Sequence, residues 1–220
     1  MGRNRFSDVL LFSKRYWPEV RWYLEQREII RSLTEVNDTV VPAAKRMGKD
    51  YAAAFIALVF FICPQLFFAE DYVRQVESWR KPGQPDWQVH TRRVITTSVK
   101  EAHLDVLWGE MSRFLLTASI PLLESKGGHL VVNSMEIRLK EERDAVAEPL
   151  NYLKGMVAKE DVSMAGHHSA YGLFLADEAS ALRNENFKQA KGWAHKTLLI
   201  GNTNPTNNIF RDLIEQMMAA

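Results

Sequence analysis

Cysteine is nearly missing from this sequence: of 220 residues, Cys63 is the single one. No intrachain disulfide can form, which fits a reducing compartment. Cys63 lies in the apolar run Phe60-Phe61-Ile62-Cys63, where a buried free thiol is expected. Charge of one sign is missing too. The 28 Lys and Arg residues balance 27 Asp and Glu, for a formal charge of +1. Without a global basic field, any nucleic-acid contact must come from local patches. No internal repeat or low-complexity tract is present. A content of 46% hydrophobic and 25% charged residues excludes disorder. The opening Met1-Gly2-Arg3-Asn4-Arg5 lacks the apolar core of a signal peptide. Even the longest apolar stretch, Tyr51 to Ala69, is broken by Pro64 and Gln65 and follows the charged run Lys45 to Asp50. A helix buried in an α/β core is expected there, and no membrane association.

Periodicity organises the rest. Ser7 to Lys14 and Pro18 to Leu33 read as helices, with Pro18 suited to a first turn. Asn37-Asp38 is a turn signal before the short strand Thr39-Val40-Val41, and Lys49 to Phe61 reads as a long apolar helix. The loop Lys81-Pro82-Gly83-Gln84-Pro85 precedes a strand over Arg93 to Ser98 and a helix over Lys100 to Ala118, with Leu104, Leu107, Met111 and Leu115 on one face. Further strands are predicted at His129 to Asn133, Glu136 to Leu139, Tyr171 to Ala176 and Thr197 to Ile200, with a helix at Glu185 to Lys191. The strands near residues 129–139 suit an antiparallel annex. Alternating strands and helices predict βαβ units and a mainly parallel sheet covered on both faces.

Three segments carry candidate chemistry. Ala43-Ala44-Lys45-Arg46-Met47-Gly48-Lys49-Asp50 joins a short strand to a long helix. That is the context of a phosphate-binding loop, where backbone N–H groups at a helix N-terminus and a lysine meet the phosphates. Gly48-Lys49 matches the loop's Gly-Lys, but Ala43 replaces its opening glycine and Asp50 its Mg²⁺-binding Ser/Thr. An aspartate still offers oxygen to Mg²⁺, directly or through water. The second segment, Gly172 to Ala179, is an apolar strand ending in Asp177-Glu178. Nucleotide hydrolases present a metal-associated aspartate and a general base in this way. The plainer alternative is an acidic pair in a helix's first turn. The third, Thr197 to Pro205, ends a strand in Gly201-Asn202-Thr203-Asn204, which places small polar groups at the sheet's carboxyl edge. A simple strand-to-loop turn fits it as well.

In this order, the three segments resemble the large terminase subunit of tailed bacteriophages, over about Tyr16 to Phe210. Glu25 to Ile30 resembles the family's glutamine-bearing segment, with Gln26 at the adenine-contacting position. Lys45 to Asp50 resembles its deviant phosphate loop, with Lys45 or Arg46 in the place of an arginine-type finger. Val94 to Phe114 is similar to the strand and helix that follow, Leu173 to Glu178 to the acidic motif, and Ile200 to Asn204 to the coupling motif.

The resemblance implies an α/β, three-layer P-loop NTPase fold of the ASCE/recA-like kind. It implies a helical segment over residues 1–38 and an ATPase core over 39–220. The cofactors it implies are ATP and Mg²⁺. Gln26, Ala44, Met47, Gly48, Lys49 and Asp50 would bind nucleotide, Asp177 and Asp50 the metal. Glu178, Lys45 and Arg46 would be catalytic, while Gly201, Asn202 and Thr203 would couple phosphate release to movement. Implied partners are double-stranded viral DNA, a portal protein, a small terminase subunit and further copies in a homo-oligomeric ring, in the host cytoplasm. The family's C-terminal nuclease domain is not expected in this chain, nor is DNA cleavage.

Two other functions compete. Asp177-Glu178-Ala179-Ser180 also resembles the acidic box of helicases, which need a second recA-like domain that 220 residues do not hold. Ala43 and Asp50 suit a degenerate nucleotide-binding assembly subunit. His167-His168 lacks a third ligand at useful spacing, so a loop beside the site is the preferred reading over a metal centre. Arg92-Arg93, Arg80-Lys81 and Lys14-Arg15 are expected on solvated faces. Trp17, Trp22, Tyr16 and Tyr23 suit either core packing or stacking on adenine.

Overall fold

The computed structural model describes residues 4–42, 48–143, 145–146, 148–159, 163–203 and 208–219. Seven strands form one sheet: β1 (Asp38–Pro42), β2 (Arg92–Ser98), β3 (Leu130–Asn133), β4 (Glu136–Leu139), β5 (Tyr152–Val157), β6 (Tyr171–Ala176) and β7 (Lys196–Gly201). Their spatial order is β1-β7-β6-β2-β5-β4-β3. Pairing is parallel from β1 across to β5, and β4 and β3 continue antiparallel, forming the expected annex. Strand β7 therefore separates β1 from β6, so the first and second candidate segments are not neighbours in the sheet.

The helices are α1 (Arg5–Tyr16), α2 (Leu24–Glu35), α3 (Lys49–Ile62), α4 (Glu70–Ser78), α5 (Asp86–Val89), α6 (Glu101–Thr117), α7 (Asn184–Lys191) and α8 (Ile209–Ala219). Alternation along the strands divides the core between two faces. Val94, Leu173, Leu175, Leu198 and Ile200 pack with α1, α2, α3 and α6, whereas Ile95, Phe174, Ala176 and Leu199 pack with α7 and α8. Strands β6 and β7 are buried along their whole length, as central parallel strands covered on both sides must be. The result is a helix–sheet–helix sandwich.

Helix α3 is the centre of the larger layer. Ala52 to Phe61 are each at most 1% exposed, so the helix is buried all round rather than amphipathic. This is the apolar run that hydropathy alone could mistake for a membrane span. Among the described residues no helix is long and apolar enough to cross a membrane.

Four expectations need correction. Helix α2 starts at Leu24, not Pro18, because the intervening segment is pinned by aromatics. The Trp17 indole donates to the Phe114 carbonyl (2.8 Å), and Trp22 donates to Ser13 Oγ (2.9 Å) while packing on Phe55 and Tyr51. Of the aromatic group, Trp17 is core and Tyr23 is exposed. Arg92 and Arg93 are not on a solvated face: Arg92 lies over Phe61, and Arg93 lies over Tyr152 and donates to the Leu150 carbonyl. Cys63 is only partly buried, with Sγ 3.6 Å from Gln65 Oε1. Strand β5 had no counterpart in the sequence reading. Its pattern is interrupted by Lys154 and Gly155, and the packing explains the glycine. A Cβ on Gly155 would sit 2.7 Å from Trp108 Nε1, which donates to Thr96 Oγ1 at 3.0 Å.

Candidate active site

The carboxyl ends of β1, β7, β6 and β2 form one edge of the sheet, and the candidate residues gather there. Helix α3 begins at this edge. Its N-cap, Gly48, has φ +64°, the left-handed region that glycine enters without steric cost. A side chain there would also collide with Gln26 Nε2. The Gln26 carboxamide ties α2 to the loop: Nε2 donates to the Gly48 carbonyl (3.1 Å), and Oε1 accepts from the Tyr23 N–H (3.2 Å). Gln26 is 3% exposed, so the position expected to meet adenine is engaged with backbone here. Ala44, Lys45, Arg46 and Met47, expected to bind phosphate or act as the finger, lie outside the described residues, as does Asn204.

Lys49 opens α3 and reaches across the end of β7 to the end of β6. Its Nζ donates to Asp177 Oδ1 at 2.7 Å and lies 3.5 Å from Asp50 Oδ1 and 3.8 Å from Glu178 Oε1. Burial by itself would lower the Lys49 pKa. The hydrogen bond and charge of Asp177, with Asp50 and Glu178 behind it, outweigh burial and raise it above the ordinary lysine value. The Asp50 pKa is also raised, first by burial and then by the Asp177 charge, with Lys49 opposing.

Glu178 sits in a strained turn. Its φ of +53° is left-handed for a residue with a side chain, a conformation that costs about 1–2 kcal/mol. The surroundings impose it. Asn208 Nδ2 lies within hydrogen-bonding distance of the Ala179, Ser180 and Leu182 carbonyls (3.2, 3.0 and 3.1 Å), clamping the loop that follows. Gly201, at the end of β7, admits that loop. A Cβ there would lie 3.0 Å from the Ser180 nitrogen and 3.1 Å from the Phe210 ring. Asn202 Nδ2 contacts Glu178 Oε2 at 3.3 Å, and Thr203 follows, exposed. Gly48 to Asp50 of the first segment, Asp177 and Glu178 of the second, and Gly201 and Asn202 of the third thus converge on one edge.

Sequence reasoning missed Ser98 and Asn208. Ser98 ends β2 and is fully buried, with an Oγ that has no hydrogen-bond partner among the described residues. A run of three hydroxyl residues closing a strand at this edge was its only signal. Asn208 stood among loop-type residues with nothing to single it out. His167 belongs elsewhere: Nδ1 bonds the Tyr152 hydroxyl at 2.6 Å and the ring packs edge-on against Trp193. Among the described residues no group of three His, Cys, Asp or Glu forms a metal cage.

The donor set nonetheless suits a hydrated divalent cation bound through one or two carboxylates. Three carboxylates converge on one lysine among the described residues, an excess of negative charge in a partly buried place.

The strand order, with β7 between β1 and β6, is that of a P-loop NTPase fold of the ASCE type. Solved structures give the comparison its particulars. The HK97 bacteriophage large terminase is similar over 100% of this chain, with a TM-score of 0.61 and 12% identity. This chain spans 42% of that protein's length. A mutant of the large terminase ATPase domain of Thermus phage P74-26 is similar over 96% of this chain and 73% of its own, with a TM-score of 0.55 and 14% identity. The fold is that of phage large-terminase ATPase domains. No family model matches the chain, and no curated protein does.

Proposed function

We propose that this chain hydrolyses ATP as the motor module of viral double-stranded DNA packaging. One observation carries the reading: Lys49 and Asp177, 128 residues apart, meet at 2.7 Å beside Glu178 at the carboxyl edge of an ASCE-type sheet. On this reading Lys49 binds the β- and γ-phosphates of the nucleotide. The transferred phosphoryl group leaves the ADP oxygen as its new bond to water forms, and the Glu178 carboxylate takes the water's proton. Asp177, joined by Asp50, holds Mg²⁺, which supplies positive charge to the phosphate oxygens. Lys45 or Arg46 stabilises the developing charge.

Asn202 touches the Glu178 carboxylate, which supports a role in relaying its state along β7, with Gly201 and Thr203 on either side of it in the chain. Gln26 is assigned to the adenine side, which requires its amide to exchange backbone partners for the base. Residues 1–38 then form a nucleotide-side helical segment and 39–220 the catalytic core. We assign as partners double-stranded viral DNA, a portal protein, a small terminase subunit and further copies in a ring, in the host cytoplasm.

The test is steady-state ATPase activity with and without linear double-stranded DNA. DNA-stimulated turnover that requires Lys49 and Glu178 supports the motor; turnover indifferent to both variants overturns the site. Asp50 supports a second reading, a nucleotide-binding assembly subunit, because its carboxylate adds negative charge where the triphosphate must lie. Bound nucleotide without turnover, in the wild type and in Asp50→Thr alike, selects that reading.

A further inference from the structure

Three consecutive hydroxyl side chains close β2, and they are treated unequally. Thr96 and Thr97 are fully buried and donate to carbonyls of β5, Thr96 to Lys154 (3.3 Å) and Thr97 to Met156 (2.6 Å). Ser98 is equally buried, yet its Oγ has no hydrogen-bond partner among the described residues. Leaving a buried hydroxyl unpaired is unfavourable, so such a group marks a place where a partner belongs.

Geometry shows where that place is. Side chains alternate along a strand, so Ser98 faces the same side as Thr96, which accepts a hydrogen bond from Trp108 of α6. Asp177 faces that side as well, since it bonds Lys49 of α3. The register pairs Thr97 with Ala176, and the Asp177 N–H donates to the Thr97 carbonyl at 2.9 Å. One step further along, Ser98 lies beside Asp177 on the neighbouring strand, about 4.8 Å away in the sheet's hydrogen-bonding direction. A second buried atom without a partner, His103 Nδ1, follows in the first turn of α6. Among the described residues, the segment from the end of β2 into α6 thus carries two unpaired polar atoms, of which Ser98 Oγ lies beside the acidic strand.

We propose that Ser98 is a positioning residue whose hydroxyl binds the hydration shell of the divalent cation beside Asp177. The inference rests on the nucleotide-hydrolase reading above. A hydroxyl can donate to Asp177 or accept from a metal-bound water, and a small side chain leaves room for that water. Outer-shell partners of this kind alter metal affinity by roughly tenfold or more when removed.

The experiment titrates Mg²⁺ against a fixed concentration of a fluorescent non-hydrolysable ATP analogue, with thermal midpoints measured in metal-free buffer. Ser98→Ala should raise the Mg²⁺ concentration at half-maximal nucleotide binding by about tenfold, with a thermal midpoint equal to or above that of the wild type. Ser98→Thr, which keeps the hydroxyl, should retain the wild-type requirement. An unchanged requirement in Ser98→Ala overturns the inference and leaves the ATPase reading intact. So does a clearly lowered thermal midpoint, which would make Ser98 a structural hydroxyl satisfied by ordinary water. A wild-type protein that binds no nucleotide at any Mg²⁺ concentration overturns both.

Discussion

The two edges of the sheet handle buried polar groups in opposite ways. At the amino edge, Asn151 is fully buried and engaged on every side. Its Oδ1 accepts from the Arg92 N–H (2.8 Å), and its Nδ2 donates to the Trp87 carbonyl (2.8 Å) and to Glu142. Glu142 in turn accepts from the Leu150 and Asn151 backbone N–H groups. Nearby, His90 bridges Glu77 and the Tyr171 hydroxyl. Among the described residues Arg92 Nε lacks a partner in this group. At the carboxyl edge, among the described residues, three carboxylates compete for Lys49, a hydroxyl stands unpaired, and Glu178 is held in a strained conformation. A satisfied network fastens loops together. An unsatisfied one gives up stability, which is where the proposed nucleotide and metal would find their partners.

The comparison can be broken from either side. The largest effect is expected at the carboxyl edge. Glu178→Gln should lower the ATPase rate by at least about 100-fold while leaving nucleotide binding and melting temperature close to wild type. Lys49→Ala should lose turnover and nucleotide binding together. At the amino edge the pattern should reverse. Asn151→Ala strands Glu142 Oε1, the Arg92 N–H and the Trp87 carbonyl, at a cost of about 3 kcal/mol in urea unfolding, and any folded protein should bind nucleotide normally.

A smaller effect concerns pH. Burial, with Arg93 and Lys154 nearby, depresses the His167 pKa to about 4. The folded state therefore resists a proton that the unfolded state accepts from about pH 6.5 downwards. Stability should fall as pH drops from 6.5 towards 4, by roughly 2 kcal/mol after allowing for partial solvent screening. His167→Phe should flatten that part of the melting profile.

The smallest effect sharpens the contrast. The raised Asp50 pKa means that the folded state disfavours its charged form at neutral pH. Asp50→Asn should raise the melting temperature of the metal-free protein at neutral pH. An unchanged or lowered melting temperature would show that the local charge excess is already neutralised.

Much of the fold was legible because it rests on burial pattern. The uniformly apolar α3 and β6, and the β-branched run of β2, announce themselves within a single window. Strand β5 did not, because its glycine and lysine answer to Trp108 and to the annex, partners set by tertiary packing. Pro18 permits a first turn, but the turn it makes closes on Trp17 without continuing as helix, and Trp17 and Trp22 anchor the segment through contacts with Phe114, Ser13, Phe55 and Tyr51. At the site, Lys49, Asp177 and Glu178 could be named from local motifs. Ser98 and Asn208 could not, since what distinguishes them is a missing partner in one case and three carbonyls of another loop in the other.

The left-handed conformation of Glu178 has a consequence for laboratory evolution. Glycine adopts that conformation freely, so Glu178→Gly relieves local strain while deleting the carboxylate. A library selected only for heat resistance should therefore enrich glycine at this position, and one selected for turnover should purge it. Few other positions in the chain would set the two selections so directly against each other.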